Sequence, residues 1–153
     1  MPDREAGETL IRLRRGLLVL LTAGLVGTGV ELLLMGHTDG WDQLIPLVLI
    51  GLSLLSLAWL GLSGSRASVR VFQATMVMAM VSGAVGTLLH YRGNVEFEIE
   101  SVPGLRGWDL FKEAMHGATP ALAPGTMMLI GALGLLYTLG DPRRSTPLQT
   151  EES

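Results

Sequence analysis

The fold is decided by the stretch LLVLLTAGLVGTGVELLLM, residues 17–35, in which Glu31 is the single ionisable side chain. An α-helix rises about 1.5 Å per residue, so a helix of this length covers about 30 Å, the thickness of the hydrocarbon core of a bilayer. The whole chain of 153 residues has the same character, with 48% hydrophobic and 16% charged residues and a mean hydropathy of +0.44. This composition argues against a water-soluble globular domain.

Three further apolar runs follow, at residues 44–62, 69–91 and 121–139. Long apolar segments in hydrocarbon must satisfy their own backbone polar groups, which favours helices. The sequence therefore predicts an all-α integral membrane protein, a four-helix bundle with four transmembrane helices. The expected organisation is an N-terminal tail (residues 1–16), a membrane domain (residues 17–139) and a C-terminal tail (residues 140–153). Within the membrane domain, a long loop (residues 92–120) joins the third and fourth spans. We expect disorder in the outermost residues, 1–8 and 141–153.

Lysine and arginine are distributed unequally between the two ends of these spans. Eight of the eleven Lys and Arg residues flank the starts of spans one and three and the end of span four. The other three lie in the 92–120 loop. Cytoplasmic flanks carry the excess of Lys and Arg, so both termini are expected in the cytoplasm and the long loop outside. The expected location is a bacterial inner membrane.

Small residues fall on one side of three spans. In span three, Thr75, Ala79 and Gly83 share an arc, and Gly131 and Gly134 do so in span four. Helices in lipid associate through such residues, because they admit close backbone approach. We expect these stripes to pack within one chain, with a homo-oligomer as the alternative.

The 92–120 loop contains two patterned segments. Val95, Phe97 and Ile99 alternate with glutamates, a period of two that predicts a short extended strand. Residues 108–116 follow with helical periodicity and form an amphipathic helix. Its apolar side supplies the candidate interface residues, Trp108, Phe111 and Met115. We expect this helix to lie flat at the lipid headgroups, with a lid or a docking surface for another membrane subunit as the alternative.

Glu31 is a candidate for ligand or ion binding, because an ionisable side chain inside a span is costly and usually faces a partner or a pathway. We expect a contact with Arg92 or His90 at the outer end of span three. The full set of ligand or ion candidates is Glu31, His90, Arg92, Glu96 and Glu98.

Histidine and carboxylate side chains gather on the predicted outer side. His37, His90 and His116 are the candidate metal ligands, since neutral imidazole binds transition metals and zinc. The chain has no cysteine, so thiolate metal sites and iron–sulfur clusters are excluded. The sequence requires no cofactor, and a metal remains an open alternative.

Common catalytic motifs are absent from the sequence, which favours a non-catalytic protein over an enzyme. The net charge of −3 does not suggest a nucleic-acid partner. The expected partners are the lipid bilayer and either another membrane protein or a second copy. We interpret the chain as an accessory subunit or scaffold of a larger membrane complex, acting through its outer loop. The alternative is a small transporter that binds a cation, metal or solute through Glu31 and the outer His and Glu residues.

Overall fold

The computed structural model describes residues 2–117, 119, 122–139 and 141. These residues form five α-helices, and none of them lies in a β-strand. The helices are α1 (Pro2–Leu34), α2 (Trp41–Ser63), α3 (Arg66–Ser101), α4 (Gly107–His116) and α5 (Gly125–Tyr137). The prediction of an all-α chain is confirmed.

Three of the helices, α1, α2 and α3, are long and apolar enough to cross a membrane, whereas α5 is apolar but shorter. Their apolar side chains are largely unburied: Leu20 is 60% exposed, Leu55 69% and Val81 57%. Apolar surface of this extent is unfavourable in water but suits contact with lipid tails. The long apolar helices indicate a membrane protein.

The four apolar helices pack in a closed order, α1 on α2, α2 on α3, α3 on α5 and α5 on α1. Each neighbour runs antiparallel to the next, as the contacts between them show. Two glycines of α1 face its neighbouring helices. A Cβ at Gly29 would lie 3.3 Å from Ile50 of α2, and one at Gly24 would lie 3.4 Å from Ile130 of α5. The buried core lies between the four helices and includes Leu21, Leu25, Leu60, Phe72, Met76 and Ile130.

The closest helix contact, between α3 and α5, depends on glycine. A Cβ at Gly83 would lie 2.7 Å from the Pro124 carbonyl oxygen, and one at Gly131 would lie 2.5 Å from the Met76 carbonyl oxygen. Backbones can approach this closely only where no side chain intervenes. The small-residue stripes expected in spans three and four therefore pack against each other within one chain.

A tight turn joins α2 to α3. Gly64 has a φ of +60°, the left-handed conformation that ends many helices, and the Ser65 hydroxyl accepts a hydrogen bond from the Ser68 amide at 3.1 Å. Deeper in the pair, the buried hydroxyls of Ser56 and Thr75 lie 3.0 Å apart and are hydrogen-bonded. This interhelical hydrogen bond satisfies two polar groups that would otherwise face an apolar interior.

Two local predictions were wrong. The disorder expected in residues 1–8 is not seen in residues 2–8, because α1 begins at Pro2, a residue whose fixed φ suits the first helical position. The strand expected at residues 95–99 is helical, because α3 continues to Ser101. Extending an existing helix is cooperative, whereas an isolated strand would leave its backbone groups unpaired. The expected C-terminal tail, 140–153, lies outside the described residues apart from Asp141.

Candidate functional site

The last turns of α3 and the whole of α4 form a hairpin, residues 91–117, called here the α3–α4 hairpin. The apolar run of α3 ends at Tyr91, and ten more helical residues follow it. Ten helical residues extend about 15 Å. The chain then turns, with the Leu105 amide donating to the Val102 carbonyl at 3.2 Å, and α4 packs back against α3. The loop therefore contains a folded element.

Asn94 holds the hairpin together. Its side chain is 3% exposed. Its amide nitrogen Nδ2 donates to the carbonyl oxygens of Ala114 at 2.8 Å and Thr119 at 2.6 Å, and its Oδ1 accepts from the Thr119 amide at 3.2 Å. One side chain thus joins α3, α4 and the segment that follows α4. Sequence reasoning missed this role, because Asn94 was expected in the loop and its partners lie 20 and 25 residues further along the chain.

Aromatic rings connect the two helices of the hairpin. The rings of Tyr91 and Phe111 lie 6.0 Å apart, and those of Phe111 and Trp108 are stacked at 5.0 Å. Trp108 nevertheless remains 70% exposed and Phe111 40% exposed. Helix α4 covers the residues where an amphipathic helix was expected. It buries Ala114 against the hairpin, while two of its three candidate interface residues stay accessible. The third, Met115, is half-buried.

Exposed apolar residues also line the α3 side of the hairpin. Phe97 is 53% exposed, Ile99 48% and Val102 49%. They are interleaved with Glu96, Glu98 and Glu100, of which Glu98 is half-buried and the other two exposed. Helical geometry removes the separation into an acidic and an apolar side that a strand would have produced. The surface is instead a mixture of apolar and acidic groups.

The polar side of α4 carries a local ion pair. Lys112 Nζ lies 2.9 Å from the Asp109 carboxylate, and the hydrogen bond and negative charge of Asp109 raise the pKa of Lys112 above its ordinary value. One turn later, His116 Nδ1 lies 2.9 Å from the Lys112 carbonyl oxygen. His116 is therefore engaged with its own helix.

The histidines do not form a common site. Among the residues that the structure describes, no three His, Asp or Glu side chains are grouped so as to hold a metal ion. His37 follows α1, His90 lies in α3 and His116 ends α4. The structure thus places the three candidate ligands on separate elements without bringing them together.

Among the described residues, the expected ion pair between Glu31 and Arg92 is not formed. In the described part of the chain the ion pairs join Glu8 to Arg12, Arg14 to Asp141 and Asp109 to Lys112. Glu31 and Arg92 are both exposed. The physical reason is the helix order, because α1 packs on α2 and α5, and these two helices pack on α3.

A second polar constellation lies at the opposite end of the helices, where α5 ends beside α1. Arg14 Nη2 lies 3.2 Å from Asp141 Oδ2, and the Arg14 guanidinium lies 5.5 Å from the centre of the Tyr137 ring. Next to them, Gln73 donates to the buried Thr138 hydroxyl at 2.9 Å. No local pattern indicates these contacts, because the paired residues are far apart in the chain.

An open cleft adjoins this constellation. Its volume is about 210 Å³, and its lining residues are Ile11, Arg14, Arg15, Leu18 and Tyr137. Two of these side chains are cationic and three present apolar or aromatic surface.

Comparisons with protein-family models, with curated proteins and with solved structures gave no match for this chain.

Proposed function

We propose that this protein is a non-catalytic subunit or scaffold of a larger membrane complex and that it binds its partner through the α3–α4 hairpin. The observation that carries the proposal is the set of exposed apolar side chains on a charged, folded element. Phe97 and Ile99 are each flanked by glutamates, and moving glutamate into hydrocarbon is costly. Phe97 and Ile99 therefore stay out of the lipid. Exposed apolar side chains outside the lipid are favourably buried by a protein partner.

The rigidity of the hairpin supports the same proposal. Asn94 fixes α4 on α3, and Trp108 is stacked on Phe111. A surface that is already ordered loses less conformational entropy on binding. Trp and Tyr are also the residues most often found at the energetic centre of protein interfaces. The complementary partner surface is an apolar groove bordered by Lys or Arg, which would meet Glu96 and Glu100.

The proposed topology has four transmembrane helices, with both termini in the cytoplasm of a bacterial inner membrane and the hairpin outside. The packing of α5 on α3 supports this topology. The two helices are antiparallel along most of the apolar run of α3, with Gly86 opposite Pro124 and Gln73 opposite Thr138. The Arg14–Asp141 contact also brings the end of α5 to the level at which the apolar part of α1 begins. Both observations favour an even number of crossings.

Site-specific photo-crosslinking in the native membrane tests the proposed interface. A photoreactive phenylalanine analogue replaces Phe97 in one variant and Trp41, which is 88% exposed at the start of α2, in a control. Position 97 should crosslink to one protein, and the same crosslink should weaken when Trp108→Ala is added. Crosslinks from position 97 to lipid alone, or equal protein crosslinks from both positions, would contradict the proposal.

A further inference from the structure

The cleft between α1 and the end of α5 has the composition of an anion site. Arg14 and Arg15 supply the positive charge, and Ile11, Leu18 and Tyr137 supply apolar surface next to it. The volume of about 210 Å³ is several times the roughly 30 Å³ that a water molecule occupies in the liquid. The cleft therefore has room for a group larger than a water molecule, such as a phosphate.

The position of the cleft along α1 indicates which phosphate ester would reach it. The uncharged run of α1 begins at Gly16, directly after the two arginines. Leu18 thus lies at the edge of the hydrocarbon while Arg14 and Arg15 lie at headgroup level. This is the depth at which lipid phosphates are found, and basic sites between helices at this depth suit anionic lipids.

The geometry around Arg14 leaves donors for a ligand. One terminal nitrogen faces Asp141, and the guanidinium lies over the Tyr137 ring, so the side chain is held in one orientation. A guanidinium carries five N–H donors, and the Asp141 contact at Nη2 uses only part of this capacity. Arg15 is the next residue of the helix and is exposed. Asp141 neutralises much of the charge of Arg14, so Arg15 provides the net positive charge of the cleft.

We propose that this cleft binds the headgroup phosphate of an anionic phospholipid, with Arg14 and Arg15 as donors and Ile11, Leu18 and Tyr137 against the lipid's glycerol and upper acyl chain. The site is separate from the α3–α4 hairpin and does not depend on a protein partner. Native mass spectrometry of the full chain in mild detergent tests it, with equimolar phosphatidylglycerol and phosphatidylcholine of identical acyl chains.

The wild-type protein should retain phosphatidylglycerol in preference to phosphatidylcholine. Arg15→Gln should lower phosphatidylglycerol binding about fivefold, the effect of one arginine near an anionic surface. Arg12→Gln is the matched control, because Arg12 is on the same helix with its side chain 82% exposed and does not line the cleft. Ile11→Trp fills the cleft without changing its charge and should also reduce phosphatidylglycerol binding. Unchanged helix content by circular dichroism shows that each variant is folded.

Three results would overturn the proposal. Equal losses in Arg12→Gln and Arg15→Gln would show general attraction between a basic helix and an anionic lipid. Unchanged binding in Arg15→Gln or in Ile11→Trp would show that the lipid binds elsewhere. Displacement of phosphatidylglycerol by soluble glycerophosphoglycerol or inorganic phosphate would assign the cleft to a free phosphate compound.

Discussion

Arg14 and Asp141 are 127 positions apart in the sequence and form an ion pair with an Nη2–Oδ2 distance of 3.2 Å. The Asp141 side chain is 1% exposed and that of Arg14 is 29% exposed. This contact links the beginning of the apolar part of α1 to the end of α5. It joins the first and last of the four apolar helices at one end, as the closed order of these helices requires.

The first prediction concerns the stability provided by this pair. Arg14→Gln leaves the buried Asp141 carboxylate without the Arg14 cation, and breaking a buried pair is strongly destabilising. Because Arg14 is partly exposed, we expect a loss of about 1–3 kcal/mol in the free energy of unfolding. Thermal unfolding in mild detergent, followed by circular dichroism, measures this loss.

Arg12→Gln is the control for that measurement. The Arg12–Glu8 pair has an N–O distance of 3.8 Å and both side chains are mostly exposed, so its loss should cost less than about 0.5 kcal/mol. The double variant Arg14→Gln/Asp141→Asn should regain part of the lost stability, since the buried side chain at position 141 is then uncharged. If Arg14→Gln and Arg12→Gln had equal effects, the Arg14–Asp141 pair would not contribute to stability.

The second prediction concerns the proposed topology, and the absence of cysteine makes it simple to test. Ser101→Cys at the end of α3 and Ala67→Cys at its beginning each introduce a single thiol at an exposed small residue. In intact cells a membrane-impermeant maleimide should label position 101 and not position 67, and permeabilised cells should show labelling at both. Labelling of position 67 alone in intact cells would reverse the proposed orientation.

The third prediction concerns Asn94. Asn94→Ala removes three hydrogen bonds and leaves the Ala114 and Thr119 carbonyl groups without their side-chain donor. Leaving a buried polar group unsatisfied costs about 1–3 kcal/mol, and this applies to the carbonyl of the buried Ala114, since Thr119 is exposed. Arg106 and Lys112 are already exposed, but trypsin needs a locally unfolded backbone. We expect α4 to detach from α3 and to unfold more readily at these two sites.

Limited trypsin digestion should therefore cleave Asn94→Ala faster at these two sites than the wild-type protein. Glu96→Gln is the control, because Glu96 is exposed two residues away on α3, and its cleavage rate should match the wild type. Equal protection of Asn94→Ala would show that the aromatic contacts alone hold the hairpin.

The helical class and the long apolar helices were predictable from the sequence, because a bilayer-length apolar run permits few other structures. The small-residue stripe of α3 was also informative, since Ala79 and Gly83 do lie in the packed interior. Local periodicity failed at residues 95–100, where six alternating residues competed with a helix already formed through Asn94. The cooperativity of the helix outweighed the pattern.

The candidate site was only partly predictable. Trp108 and Phe111 were found through helical periodicity and are exposed on the hairpin. That the described ion pairs do not join Glu31 to Arg92 was not predictable, because the sequence does not reveal which helices are neighbours. Asn94 and the Arg14–Asp141 pair depend on long-range packing in the same way, so no local pattern marks them.

The fourth prediction distinguishes glycines that packing requires from those that it does not. In Gly131→Ala the new Cβ would lie 2.5 Å from the Met76 carbonyl oxygen, so α5 must move away from the α3 backbone. Such overpacking costs about 1–3 kcal/mol. In Gly27→Ala the Cβ would meet no atom within 4 Å, and the better helix propensity of alanine should leave stability unchanged or raise it by up to about 1 kcal/mol.

Thermal unfolding of both variants in mild detergent measures the difference. A loss in Gly27→Ala as large as that in Gly131→Ala would contradict the packing described for a single chain. Such a loss would mean that α1 meets another helix at Gly27, and since that surface is open here, the helix would have to come from a second copy or a partner. Gly27→Ala is therefore also a sensitive probe for association through α1, which would act independently of the α3–α4 hairpin.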